Sequence, residues 1–195
     1  MYLNSLMIRV SKLIALVFIM LAPFAAVVIH AQDATAEATS SPEATKISIT
    51  LSEYSFQIEG QKTGEALQLK TNTAYEITVK DGGLLNHELL IGTAVKTVNG
   101  GFLHDYGTFL LDGVDVEVSG SMNDKAFTIV APGIHEVQLA PGQEVTLAFT
   151  LTDDKAGKWE AGCFNYMQAT NNDDNPGPSH YDVGMKLEVD VAQAG

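Results

Sequence analysis

The chain has 195 residues, with 11 Lys/Arg against 24 Asp/Glu and a formal net charge of −13. A field of that sign repels nucleic acid and anionic membrane surfaces, so neither is expected as a partner. Cys163 is the only cysteine, which excludes an internal disulfide and any centre that needs two bridging thiolates.

Residues 1–12 carry Arg9 and Lys12 and no acid; residues 13–29 are an apolar run broken by Pro23, and the small Ala31 follows. That order reads as an export signal spanning 1–31, with cleavage after Ala31. The run of 17 residues is also near the length that spans a bilayer, so residues 13–29 could act as a membrane tether. Residues 32–45 (QDATAEATSSPEAT) contain no large apolar side chain and cannot bury enough surface to offset the entropy of ordering. They are expected to form a disordered linker. Residues 46–195 are then one domain of ordinary size, with room for a core. Loss of the signal leaves 9 Lys/Arg against 24 Asp/Glu, a net charge of −15, which favours solubility and steers basic partners. The expected location is the periplasm or the extracellular face of the cell envelope.

Strand patterning runs through the domain. Ile47, Ile49 and Leu51 alternate with Ser48, Thr50 and Ser52; Tyr75, Ile77 and Val79 alternate with Glu76, Thr78 and Lys80. Val145, Leu147, Phe149 and Leu151 alternate with Thr and Ala, and Met185, Leu187, Val189 and Val191 with Lys186, Glu188 and Asp190. Period-2 alternation predicts strands with one buried face. Turn signals separate them at Asp81-Gly82-Gly83, Ala131-Pro132-Gly133, Ala140-Pro141-Gly142 and Asn175-Pro176-Gly177-Pro178. The fold class is all-β, a two-sheet sandwich, with an extra loop or hairpin at about 93–125.

The same parity aims several chemistry-bearing side chains inward. Trp159, Ala161 and Cys163 share one face with Glu160 opposite, His87 shares a face with Leu89 and Ile91, and Met185 opens the inward set of the last strand. With His180, these residues supply one thiol, two imidazoles and one thioether, the donor set of a mononuclear blue-copper site. Each has a plain structural reading when taken alone: core cysteine, hydrogen-bonded histidine, packing methionine. Together, in this order and on these faces, they point to a metal.

Asn86-His87-Glu88-Leu89, Ala140-Pro141-Gly142-Gln143-Glu144-Val145, Gly157-Lys158-Trp159-Glu160-Ala161-Gly162-Cys163 and His180-Tyr181-Asp182-Val183-Gly184-Met185-Lys186 resemble segments of the bacterial cupredoxins. The resemblance covers most of 46–92 and 126–195. It implies a Greek-key sandwich with one type 1 copper, held by His87, Cys163, His180 and Met185. Two departures stand out. Sixteen residues, 164–179, separate Cys163 from His180, where the family has a few. Residue 88 is Glu, where plastocyanin- and azurin-like proteins commonly carry a hydrogen-bonding Asn.

The expected function is single-electron carriage between redox proteins, such as basic cytochromes or a membrane oxidase, by a monomeric copper protein. The alternative is copper binding for homeostasis or resistance. A structural sandwich with a vestigial site ranks third. An enzyme is not expected: after the signal only His87, His104, His135 and His180 remain, too few imidazoles for a three-copper cluster beside a type 1 site. The sequence also lacks Gly-x-Ser-x-Gly, His-Glu-x-x-His and phosphate-loop motifs. A Cys-His nucleophile would not need Met185, and a buried thiol is a poor nucleophile. His104 with Met122 or Met167 is a weaker auxiliary copper candidate, His135 reads as structural, and Asn171 to Asn175 reads as a solvated loop, not a calcium site.

Overall fold

The structure, a computed structural model, describes residues 43–98, 103–166 and 177–195. The segments expected as signal and linker fall almost wholly outside it, as do Met167 and the Asn/Asp cluster at 171–175. No helix among the described residues is long and apolar enough to cross a membrane.

The described residues form twelve strands in two mixed sheets. The first sheet orders β2 (Ser55–Ile58), β1 (Thr45–Ser52), β4 (Ala74–Asp81), β10 (Glu144–Thr150), β7 (Asp115–Met122) and β8 (Lys125–Pro132). The second orders β3 (Leu67–Lys70), β12 (Lys186–Ala192), β11 (Gly157–Gly162), β5 (His87–Val98) and β6 (Leu103–Phe109), with β9 (Glu136–Leu139) paired to the start of β5. One 3-10 turn at Asp153–Lys155 leads from β10 to β11.

Alternation builds the core. In the first sheet Ile77 lies between Ile47 and Leu147, and Val79 between Ile49 and Val145. In the second, Ala161 lies between Leu187 and Ile91, and Val189 between Trp159 and Leu67. These rows merge into one apolar cluster in which Leu51, Val79, Val116 and Val189 have no solvent exposure. Each such side chain contributes roughly 1.5–3 kcal/mol by leaving water.

The segment at 93–125, expected as an extra loop or hairpin, contributes hairpin strands among its described residues. It extends β5 against β6, from Gly92 beside Phe109 to Val98 beside Leu103, and supplies β7. The β7–β8 hairpin closes through Asn123 and Asp124, whose φ angles of 52° and 58° are those of a two-residue turn that Asn and Asp tolerate. A consequence the alternation rule does not foresee is that the first half of β5, from His87 to Gly92, is buried on both faces. Leu90 points away from the main core and joins Tyr106, Phe109 and Phe164 in a second apolar cluster, with Tyr181 packed against it.

Candidate metal centre

Strand register brings the candidate residues to one end of the sandwich. β1 and β4 run parallel and finish together, with Leu51 beside Asp81. β5 starts with His87; β11 ends at Gly162, which pairs with Leu90 of β5 and with Lys186 of β12. Cys163 therefore follows the end of β11, Met185 precedes the start of β12, and His87 opens the strand between β11 and β9.

His87, Cys163 and His180 lie so that one donor atom from each falls within 4.8 Å of the others, the one such group of His, Cys, Asp and Glu among the described residues. Exposure is 0% for His87, Cys163 and Met185 and 1% for His180. The Cys163 Sγ lies 3.3 Å from His180 Nδ1 and accepts the Glu88 backbone N–H at 3.4 Å. The two imidazole rings are 4.9 Å apart between centroids. Both ring nitrogens of His87 and Nε2 of His180 are buried with no hydrogen-bond partner among the described residues. Buried polar atoms without partners are rare because each forfeits solvation worth roughly 1–3 kcal/mol. Three in one place, beside a thiol, point to a ligand that engages them. One thiol and two imidazoles, with a buried thioether at the next strand, fit a soft transition ion such as copper.

The long excursion between Cys163 and His180 is pinched at its base. His180 N–H donates to Asn165 O at 2.7 Å, and Tyr166 forms an antiparallel bridge with Ser179. Asn165 and Tyr166 thus meet Ser179 and His180 directly, and the distance along the chain does not set the distance between the two donors. Past the neck the turn is fixed by Met185 N–H to His180 O at 2.9 Å and Gly184 N–H to Tyr181 O at 3.0 Å. Gly184 takes φ 108°, a conformation only glycine adopts without strain. The Asp182 carboxylate accepts both the backbone N–H and the hydroxyl of Ser179 at 2.9 Å. Cys163 N–H then donates to Met185 O at 3.3 Å, so thiol, second imidazole and thioether share one backbone network.

Burial sets the protonation of the group. The Cys163 thiol is pushed up to about 11 by loss of solvent, against the amide donors of Glu88 and Asn165. His180 is lowered, first by burial and then by its neighbour His87. The metal-free site therefore holds a protonated thiol and a neutral second imidazole, and a metal must displace the thiol proton.

Glu88 takes a linking role. Its carboxylate is buried, and Oε1 accepts the Phe164 N–H at 2.6 Å, tying the residue after His87 to the residue after Cys163. Burial, and then the Glu136 carboxylate, raise its carboxyl from 4.5 to about 7. The folded state thus prefers the neutral acid. In the metal-free protein its contribution to stability is fully present below pH 4.5 and lost as the pH rises through about 7. Glu88→Gln should remove this slope and gain a few kcal/mol relative to wild type above pH 7. Urea midpoints of metal-free protein across pH 4–8 measure it.

Sequence reasoning misses the contribution of the β1–β2 turn. Glu53 Oε1 accepts the backbone N–H groups of Leu84 and of Leu85, the latter at 3.3 Å, and lies 4.0 Å from His87 Nε2. The adjacent Tyr54, with φ 66°, sets its ring edge-on to His180 at 5.5 Å between centroids. Glu53 and Tyr54 precede His87 by more than thirty residues, so no local spacing signals them. The other histidines go elsewhere. His104 Nε2 lies 3.4 Å from Asp182, while Met122 is 62% exposed at the β7–β8 hairpin of the other sheet. His135 pairs with Asp112 at 2.7 Å and stacks on Phe109 at 4.1 Å, a structural role.

No protein-family model matches the chain, and no curated protein matches it. Among solved structures it is similar to a multicopper oxidase from Campylobacter jejuni, at 15% identity and a TM-score of 0.46, over 80% of this chain and 31% of that one. It is similar to reduced auracyanin from the photosynthetic bacterium Roseiflexus castenholzii, at 17% identity and a TM-score of 0.41, over 77% of this chain and 99% of that one. A blue copper oxidase from Nitrosomonas europaea matches at 12% identity and a TM-score of 0.42, over 76% of this chain and 44% of that one. The chain spans about a third of the Campylobacter jejuni protein and under half of the Nitrosomonas europaea one.

Proposed function

We propose that this chain is a cupredoxin-type carrier that passes single electrons at one copper ion held by His87, Cys163 and His180, with Met185 as the weak axial donor. The observation that supports the reading best is the buried His87–Cys163–His180 group, whose donor atoms fall within 4.8 Å of one another. Copper bound there supplies a one-electron couple without a substrate site. The protein does the rest. Strand ends and the 179–185 turn hold the donors before any metal arrives, so little rearrangement accompanies a change of charge. The apolar surround keeps water off the site, and the Cys163 proton leaves when the thiolate is engaged.

Partner docking in this reading uses the exposed side chains beside the histidines. Leu84, 88% exposed, and Leu85 precede His87, and Val183, 43% exposed, follows His180. The acidic charge of the chain favours basic redox proteins at the outer side of the cell envelope. The test is the optical and electron-spin-resonance spectrum of the copper-loaded protein with its midpoint potential. An intense visible band and a reversible couple support the carrier; tight Cu(I) binding with no reversible couple favours copper handling. Met185→Leu should keep the band and raise the potential, because a thioether donor is lost. A potential unmoved by Met185→Leu removes Met185 from the donor set.

A further inference from the structure

A carboxylate from the opposite sheet faces His87 at the centre. The His87 Nε2 faces the Glu53 carboxylate at 4.0 Å, and both ring nitrogens are buried without hydrogen-bond partners among the described residues. A Cβ built on Gly83 would lie 2.7 Å from His87 Nε2 and 2.7 Å from Glu53 Oε1. The absence of a side chain at 83 is therefore what leaves the carboxylate an open line to the imidazole. Glu53 is itself fixed, since it accepts the Leu84 and Leu85 amides of the loop that leads into β5, and it sits in the tight turn closed by Ser52 and Ser55.

A neutral imidazole carries one N–H, and the nitrogen that faces an acceptor keeps the proton while the other offers its lone pair. A carboxylate behind a metal-bound histidine fixes that choice and strengthens the imidazole as a donor. Closing 4.0 Å to a hydrogen bond takes an adjustment of about 1 Å. We propose that Glu53 is a positioning residue that holds the His87 proton on Nε2, so that Nδ1 is the atom presented to the metal and the imidazole is a stronger donor to the oxidised ion. Both histidines then present the same nitrogen inward, because Nδ1 of His180 already faces Cys163. The inference rests on the reading of His87 as a copper ligand. The competing account is that Glu53 only caps the loop at Leu84 and Leu85.

Two readouts separate them. In the metal-free protein, long-range nitrogen–proton NMR at a pH where the imidazole is neutral should find the His87 proton on Nε2. In the copper-loaded protein, Glu53→Gln keeps an oxygen acceptor for the two amides but removes the charge. It should lower the affinity for Cu(II) relative to Cu(I) about tenfold, an upward shift of the midpoint by about 59 mV for a one-electron couple. Gly83→Ala, which leaves Glu53 intact and puts a methyl group between the partners, should shift the midpoint the same way. If Glu53 is only a loop cap, Glu53→Gln leaves the potential where it was. A His87 proton on Nδ1, or a midpoint unmoved by both substitutions, overturns the proposal. The NMR result stands whether or not copper binds, so a protein that takes up no copper overturns the carrier reading without deciding this one.

Discussion

Cys163→Ser should abolish the intense visible band of the copper-loaded protein outright and leave the metal-free fold intact. The band requires a thiolate bound to the oxidised ion, and a serine hydroxyl neither ionises at neutral pH nor matches the soft character of sulfur. The fold should survive because the replacement is nearly isosteric. The Cys163 sulfur faces the backbone N–H groups of Glu88, at 3.4 Å, and of Asn165, and a hydroxyl oxygen at the same place can accept from them too. Cys163 is fully buried, so the added polarity costs something, on the order of 1 kcal/mol when a partner remains. The urea midpoint of the metal-free variant should thus move little while the copper spectrum is lost. His135→Ala is the matching control: its ring pairs with Asp112 and stacks on Phe109, and the spectrum should not change. A Cys163→Ser protein that keeps the band sinks the copper–thiolate reading.

Much of the sandwich is legible because alternation is a local signal. Ile47, Ile49 and Leu51, or Leu187, Val189 and Val191, need only one buried face to reveal a strand, and the same parity turns Cys163 and His87 inward. It fails at β5, where Glu88 and Leu90 belong to the nominally outer face yet are 6% and 5% exposed. Phe164 and Tyr106 cover that face from β6 and from beyond β11, and contacts between distant strands leave no periodic trace. The β7–β8 hairpin is faint for another reason, since its Asn123-Asp124 turn lacks the glycine that usually marks a two-residue loop. The four candidate donors could be read from residue type and order. What surrounds them could not: Glu53 and Tyr54 reach the histidines only through the packing of one sheet on the other. The sixteen-residue separation of Cys163 from His180 misleads as a length, because two backbone pairings close its neck.

The outer cluster explains a second large effect. The Tyr106 ring crosses β5 and β11 above Gly92 and Gly162, and its hydroxyl and that of Tyr181 both donate to Glu160, at 3.2 and 2.6 Å. Phe164 sits 5.1 Å from Tyr106 and 4.8 Å from Tyr181 between ring centroids, so the residues after Cys163 and His180 are clamped in one aromatic layer. A methyl group at Gly92 would meet Thr108 O and the Cβ and Cγ of Tyr106 at 2.5 Å. A backbone oxygen and a Cβ cannot rotate away, so the strands must part, and Gly92→Ala should cost about 3 kcal/mol. At Gly162 the near atoms are the Tyr106 hydroxyl at 2.6 Å and an edge carbon of Tyr181 at 3.0 Å. Both are ends of side chains that can shift, and the alanine recovers roughly 0.4–1 kcal/mol by restricting the unfolded chain. Gly162→Ala should therefore cost about 1 kcal/mol or less in metal-free protein. Its larger effect should be on the copper spectrum, because the displaced rings hold the neighbours of Cys163 and His180. Denaturant midpoints and spectra of the two variants separate these effects. Equal stability costs would mean that Tyr106 yields at β5 as readily as at its tip, and that the layer does not clamp the donors.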